Sequence, residues 1–176
     1  QLIKDKRHLR EEFLNTISHG LGAVAAVFGF ILLLIYSTCT KNDWALFSAF
    51  FYGISLMSVY ISSTLYHAVS DLSLKRIFRK FDHACIFLLI AGTYTPLLLM
   101  TIGGAWGWTL FGILWGLALF GILMKIIYFD NFNKFSLLLY ATMGWIAIFK
   151  LHDLYLALPY TAFVLILAGG IIYTVG

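Results

Sequence analysis

The sequence has little charge: Asp, Glu, Lys and Arg make up 11% of its 176 residues, against roughly a quarter in a soluble domain. An ordinary soluble domain is therefore excluded. The net charge of +4 is spread over segments between apolar runs, so it does not indicate nucleic-acid binding. The short alternating segments of an outer-membrane barrel are absent. Only two cysteines occur, and because Cys39 and Cys85 are expected at opposite ends of the fold, no disulfide is predicted.

Hydrophobic residues, in contrast, make up 61% of the chain, and mean hydropathy is +0.91. Apolar runs of about 20 residues recur throughout, each long enough to cross a bilayer as a helix. The sequence therefore predicts an all-α, polytopic transmembrane helical bundle. An N-terminal arm covers residues 1–17, and six spans follow at about 18–38, 44–69, 81–101, 107–128, 134–150 and 158–176. We expect a seventh span beyond Gly176.

The basic residues predict the orientation of these spans. Ten of the twelve Lys and Arg residues fall in segments on one side: Lys4, Lys6, Arg7, Arg10, Lys75, Arg76, Arg79, Lys80, Lys125 and Lys134. Lys41 and Lys150 fall on the other side. Because basic residues accumulate on the cytoplasmic side of membrane proteins, we expect a cytoplasmic N-terminus and a cytoplasmic basic loop, "SLKRIFRK". Trp44, Trp106 and Trp108 then belong to the outer interface.

Glycine and proline suggest where helices pack and bend. Gly112 and Gly116 form a small-xxx-small pair, which is typical of close helix contacts in membranes. Pro96 should kink the third span, with the Thr93 and Thr95 hydroxyls available to nearby carbonyls.

Polar side chains interrupt the apolar runs where the second span ends and the third begins. Ser63 and His67 are one turn apart on one helix face, and Asp82 opens the next span. His19 enters the first span from the same side. Ionisable groups in a membrane usually face the bundle interior and mark functional sites. Neutral imidazole is a good zinc ligand, and a nearby carboxylate can hold or deprotonate a metal-bound water. We predict a site with His67 as ligand and Asp82 and Ser63 as catalytic residues.

Structural interpretations of these residues stay open from the sequence alone. His67 can be an interfacial histidine bonded to a carbonyl or water, and Asp82 can cap the third helix. His83 points about 100° away from Asp82 on a helix, so it and His19 are weaker ligand candidates. Glu11 and Glu12 are most simply charges of a first helical turn. His152 falls on the outer side.

The chain resembles the hemolysin III family, the bacterial branch of the progestin and adiponectin receptor superfamily. The matching stretches occur in family order over essentially the whole chain: "EEFLNTISHG" (11–20), "SSTLYHA" (62–68), "FDHACIFLLIAGTYTP" (81–96), "GWTLFGILWGLALFGILMK" (107–125), "MGW" (143–145) and "LAGGIIYTVG" (167–176). The resemblance implies seven helices in the bacterial inner membrane, with a cytoplasmic N-terminus.

The resemblance also implies a zinc ion near the cytoplasmic face. His67 matches the family's second-span ligand, Asp82 matches the aspartate that holds the zinc-bound water, and Ser63 matches the serine one turn before the ligand. The family's two further histidine ligands belong to an H-x-x-x-H in the seventh span, which we expect beyond Gly176. The implied function is ceramidase-like, zinc-dependent hydrolysis of a lipid amide or ester. The alternatives are a pore-forming cytolysin and a non-enzymatic sensor or homeostasis factor with a structural metal.

Overall fold

The computed structural model describes the backbone of residues 2–175 and the side chains of residues 9–175. The side chains of Lys4, Lys6 and Arg7 in the predicted arm, and Gly176 at the end of the sixth span, lie outside this part. The described chain is helical throughout, with short connections: α1 (Leu2–Thr38), α2 (Ala45–Ala68), α3 (Leu72–Pro96) with a π-helical continuation (Leu97–Ile102), α4 (Gly104–Ile127), α5 (Asn133–Gly144) with a 3₁₀ continuation (Ile146–Lys150), α6 (Leu151–Ala157) and α7 (Tyr160–Val175).

In the described part of the chain, five helical segments are long and apolar enough to cross a membrane: Leu9–Thr38, Ala45–Ala68, Leu72–Ile102, Gly104–Ile127 and Asn133–Ala157. A shorter apolar helix, Tyr160–Val175, follows them. The polytopic all-α fold predicted from the apolar runs is confirmed.

Two helices extend further than the sequence suggests. α1 is one helix of 37 residues that includes most of the predicted arm. The expected loop "SLKRIFRK" is helical, because α3 begins at Leu72, and that expectation is wrong. The carboxylate of Asp71 caps α3 by accepting hydrogen bonds from the amides of Ser73 (2.9 Å) and Leu74 (2.8 Å). The alternative that Asp82 caps the helix is therefore also wrong, since Asp82 lies eleven residues past the cap.

Glycines let α1, α2 and α3 pack closely side by side. A Cβ atom at Gly53 of α2 would overlap the ring of Phe30 on α1. One at Gly92 of α3 would overlap the Ser55 side chain of α2. The first contact pairs the later part of α1 with the earlier part of α2, and the second pairs the earlier part of α2 with the later part of α3, so the three helices are antiparallel neighbours. The sites at the end of α2 and the start of α3 consequently lie at one end of the bundle.

The apolar core lies between α3, α4 and α5. Phe87, Leu114 and Met143 are fully buried there. Gly121 of α4 packs against the Phe87 ring so closely that a Cβ added at this glycine would lie 2.5 Å from the ring. The structure does not show the expected packing role of Gly112 and Gly116, because none of the described residues lies within 4 Å of a Cβ placed at either position. In this structure the pair faces outward.

The end of the bundle opposite the α2–α3 connection is aromatic and glycine-rich. Trp44 and Trp108 meet there edge to face with ring centroids 4.8 Å apart, and the Lys150 ammonium lies 5.1 Å from the centroid of the Trp106 ring. The three tryptophans therefore share one end, as predicted. The α3 helix widens into its π-helical continuation directly after Pro96, where a proline without an N–H interrupts the regular ladder.

Candidate functional site at the basic end

The basic end of the bundle is the end at which α2 finishes and α3 starts. His67 is the penultimate residue of α2, and only a short connection separates α2 from α3. The first turns of α3 carry Lys75, Arg76, Arg79 and Lys80, and the last turn of α4 adds Lys125. Positive charge from two helices thus collects at the same end of the bundle as the predicted site.

The central contact of the site joins Glu12 of α1 to His67 of α2. The Nδ1 atom of His67 lies 2.9 Å from Oε2 of Glu12, and the Lys75 ammonium of α3 lies 2.9 Å from the same oxygen. The side chains of His67 and Glu12 are each 17% exposed, so the contact is shielded but not dry. A single carboxylate therefore connects three helices.

This contact determines which imidazole nitrogen of His67 is available. An ionised carboxylate only accepts hydrogen bonds, so Nδ1 is the nitrogen that carries the proton. In the neutral ring, Nε2 keeps its lone pair and can bind a metal ion or accept a proton. Histidines that ligate metals commonly have this arrangement, with the second nitrogen held by a carboxylate.

His19 of α1 lies beside this pair. Its ring centroid is 5.7 Å from that of His67 and 6.1 Å from that of Tyr60. The Nδ1 atom of His19 is buried and has no hydrogen-bond partner among the described residues. The approach is close because α1 has glycine at position 22, where a Cβ would come within 2.5 Å of the Tyr60 ring. The structure therefore places two imidazoles next to one another.

Ser63 on α2 and Asp82 on α3 lie at the same end of the bundle as His67. Ser63 is buried one turn before His67 and is 4% exposed. Asp82 is half-buried on α3, within electrostatic reach of Cys85 and of Tyr140 on α5. Within residues 9–175 neither a hydrogen bond nor an ion pair joins Asp82 to His67. The two residues belong to the same end of adjacent helices, but the structure shows no direct contact between them.

His83 faces a different part of the bundle from His67. Its ring packs edge-on against Phe129 at 5.2 Å between centroids, and its carbonyl accepts a 2.7 Å hydrogen bond from the Tyr140 hydroxyl. Lys125 is buried close by, at 1% exposure, and donates to the Asn133 side-chain oxygen at 2.6 Å. His83 thus belongs to the contact between α3 and the α4–α5 connection.

Sequence reasoning missed the contacts of Glu12 with His67 and Lys75 and the burial of Lys125. Glu12 was interpreted as a first-turn charge, but it is the eleventh residue of α1. Its seven-residue separation from His19 places both on one helix face, and this spacing was the available signal. Lys125 could have been recognised as a lone charge in an otherwise apolar helix.

The donors at the basic end fit a metal ion only in part. Two adjacent imidazoles, one of them oriented by a carboxylate, suit zinc, whose catalytic sites use about three protein ligands. In the part of the chain whose side chains are described, no group of three or more His, Cys, Asp or Glu residues is arranged to hold a metal. At least one further ligand would have to complete the set.

Comparisons with known proteins agree with one another. The family model described as "Haemolysin-III related" matches residues 7–176. The "Hemolysin-3" protein of Bacillus cereus is 42% identical over 168 residues, covering 96% of this chain and 77% of the relative. The "Hemolysin-3 homolog" of Bacillus subtilis (strain 168) is 39% identical over 168 residues, covering 96% of this chain and 79% of the relative. No solved structure matches significantly.

Proposed function

We propose, from the premise that this chain belongs to the haemolysin III family, that it is a zinc-binding membrane protein that hydrolyses a lipid amide or ester. The observation that carries the proposal is the contact of Glu12 with Nδ1 of His67, which leaves Nε2 of an otherwise shielded histidine free to bind a ligand. The proposed ligands are His67 together with histidines of a seventh span, and the adjacent His19 is the candidate substitute.

The proposed location is the bacterial inner membrane, with the basic end and the N-terminus in the cytoplasm. Seven cations whose side chains are described lie at the basic end: Arg10, Lys75, Arg76, Arg79, Lys80, Lys125 and Lys134. The opposite end has Lys41, between α1 and α2, and Lys150 beside Trp106. This asymmetry follows the distribution expected for cytoplasmic and external faces.

The proposed chemistry assigns a separate role to each residue. A bound zinc ion would supply a water that ionises near neutral pH. Glu12 holds the His67 ring in one tautomer and orientation. Asp82 accepts the proton that the attacking water loses and returns it to the leaving amine or alcohol when the carbonyl C–N or C–O bond breaks. Ser63 donates a hydrogen bond toward the substrate carbonyl oxygen, whose negative charge grows during attack.

Zinc content and lipid turnover of the full-length protein test the proposal together. We expect stoichiometric zinc by mass spectrometry and turnover of ceramide or phospholipid that a chelator abolishes. The variant Asp82→Asn should retain zinc but lose at least about 100-fold in turnover, since general acid–base catalysis contributes roughly 10²–10⁴-fold. Turnover that survives both chelation and Asp82→Asn would exclude the hydrolase.

A second prediction concerns the orienting carboxylate. Glu12→Gln should lower zinc affinity by about 10- to 100-fold, because outer-shell partners of a histidine ligand typically contribute that much. Competition with a chelating dye would measure the change. Glu11→Gln is the control, since it removes the same charge from the adjacent, exposed position. Equal zinc affinity in the two variants would show that Glu12 does not position His67.

The names of the two relatives support membrane lysis as a second candidate. The core cluster argues against a pore through the centre of one molecule, because Phe87, Leu114 and Met143 fill it with apolar side chains. Dye release from liposomes distinguishes the two candidates. Release that requires the protein and is unaffected by zinc chelation would favour lysis, whereas bound zinc without turnover or release would favour a sensor with a structural metal.

A further inference from the structure

A separate basic surface lies where α3 passes the end of α4, away from the Glu12–His67 contact. We call it the α3–α4 groove. It has a volume of about 410 Å³ and is lined by Ser73, Arg76, Ile77, Lys80, Phe81 and Ile126. The two other cations of this part of α3 point elsewhere, since Lys75 pairs with Glu12 and Arg79 lies over the Phe129 ring at 5.1 Å.

Among residues 9–175 the cations of the groove have no acidic partner. The Nε atom of Arg76 donates a long, 3.3 Å hydrogen bond to the Leu72 carbonyl of its own helix, and none of residues 9–175 forms an ion pair with Arg76. The Lys80 ammonium donates to the Ile126 carbonyl at the end of α4, at 2.9 Å. Arg76 and Lys80 are four residues apart, so two like charges share one helix face and repel each other. An anion placed between them would remove this repulsion.

The remaining wall of the groove is apolar and exposed. Ile77 and Phe81 are each 49% exposed, and Ile126 is 39% exposed. Along α3 the lining changes from Ser73 and Arg76 at the helix start to Phe81, where the apolar run of the span begins. This order matches the depth profile of a phospholipid, with a charged headgroup near water and acyl chains beyond it.

We propose that the α3–α4 groove binds the headgroup of an anionic phospholipid. The phosphate lies between the Arg76 guanidinium, whose fork suits two phosphate oxygens, and the Lys80 ammonium. The first part of an acyl chain follows Ile77, Phe81 and Ile126. Basic pockets between transmembrane helices are known sites for anionic headgroups. The proposal is independent of zinc, since the groove shares no side chain with the Glu12–His67 contact.

Binding of short-chain lipids to the full-length protein in neutral detergent tests the proposal. Dioctanoyl phosphatidylglycerol should bind well, and dioctanoyl phosphatidylcholine should bind at least tenfold more weakly. In the double variant Arg76→Gln/Lys80→Gln, the affinity for phosphatidylglycerol should fall about 30-fold, because each cation near a membrane surface contributes roughly fivefold. Native mass spectrometry of lipid-bound species, together with thermophoretic titration, gives these ratios.

The control is Lys41→Gln/Lys134→Gln, which removes two exposed cations outside the groove and should leave lipid affinity within about twofold of wild type, since neither cation lies at the bound headgroup. Arg76→Lys should lose less affinity than Arg76→Gln, because lysine keeps the charge but lacks the guanidinium fork that binds two phosphate oxygens. If the double variant does not fold, Arg76→Gln alone should show about a fivefold loss. Equal binding of the two lipids would overturn the proposal, and so would unchanged lipid affinity in the glutamine variants. Binding of glycerol 1-phosphate as tight as that of phosphatidylglycerol would also overturn it, because the groove would then be a site for free anions.

Discussion

Replacement of His67 by alanine is expected to lower the zinc affinity of the full-length protein by more than about 100-fold, beyond the range that loss of an outer-shell partner causes. The reason is the position of the ring. The Glu12 carboxylate lies 2.9 Å from Nδ1, so Nε2 is the nitrogen whose lone pair can bind zinc. The centroid of the His19 ring lies 5.7 Å from that of His67. Zinc per protein after purification, and competition with a chelating dye, measure the loss.

Control variants separate a loss of zinc from a loss of folding. His67→Gln retains an N–H for Glu12 but has no imidazole, so it should fold as wild type does and still lack zinc. His83→Ala removes an imidazole that packs on Phe129, and His152→Ala removes one near the opposite end of the bundle. Both variants should keep zinc. Wild-type zinc content in His67→Ala and His67→Gln would contradict the assignment of His67 as a ligand.

The sequence predicted those parts of the structure that depend on local pattern. Apolar runs of sufficient length form helices because a backbone in lipid must satisfy its own hydrogen bonds. The spacing of Ser63 and His67 placed both on one face, and the short connection after α2 brought α3 next to it. These inferences needed no knowledge of distant contacts.

Contacts between distant residues could not be predicted in the same way. Glu12 and His67 are 55 residues apart, and their pairing depends on how α1 packs against α2. The sequence assigned Lys75 to a loop because a cluster of charged residues next to an apolar run is typical of a connection between two membrane spans. In the structure, Asp71 caps α3 early, and the ion pair with Glu12 holds the first turns of this charged helix.

Glycine patterns show the same limit. A small-xxx-small pair indicates that a close helix contact is sterically allowed, and it does not indicate whether a neighbour is present. Among the described residues, Gly112 and Gly116 have open space on that face, whereas Gly53, which forms such a pair with Ala49, and Gly92, which forms none, both contact neighbouring helices closely. Only the arrangement of the helices distinguishes the two kinds of position.

Gly107 is the position at which an added methyl group should be most destabilising. A Cβ there would overlap the backbone carbonyl of Leu98 in the π-helical continuation of α3. That carbonyl already accepts the Gly103 amide at 2.9 Å, and the Gly107 amide donates to the Gly103 carbonyl at 2.9 Å. Both the start of α4 and the end of the π-helical segment are therefore fixed, so backbone rather than a flexible side chain would have to move.

We therefore expect Gly107→Ala to lower the free energy of unfolding by roughly 1–3 kcal/mol, the range for overpacked sites. For a chain of this size that corresponds to about 2–12 °C in the midpoint of thermal unfolding, measured in detergent by tryptophan fluorescence. Gly112→Ala is the matched control on the same helix. Its Cβ meets none of the described residues within 4 Å, and alanine is favoured over glycine in helices by roughly 1 kcal/mol, so this variant should be as stable as wild type or more stable. Equal midpoints for the two variants would show that α4 does not approach Leu98 as closely as the structure places it.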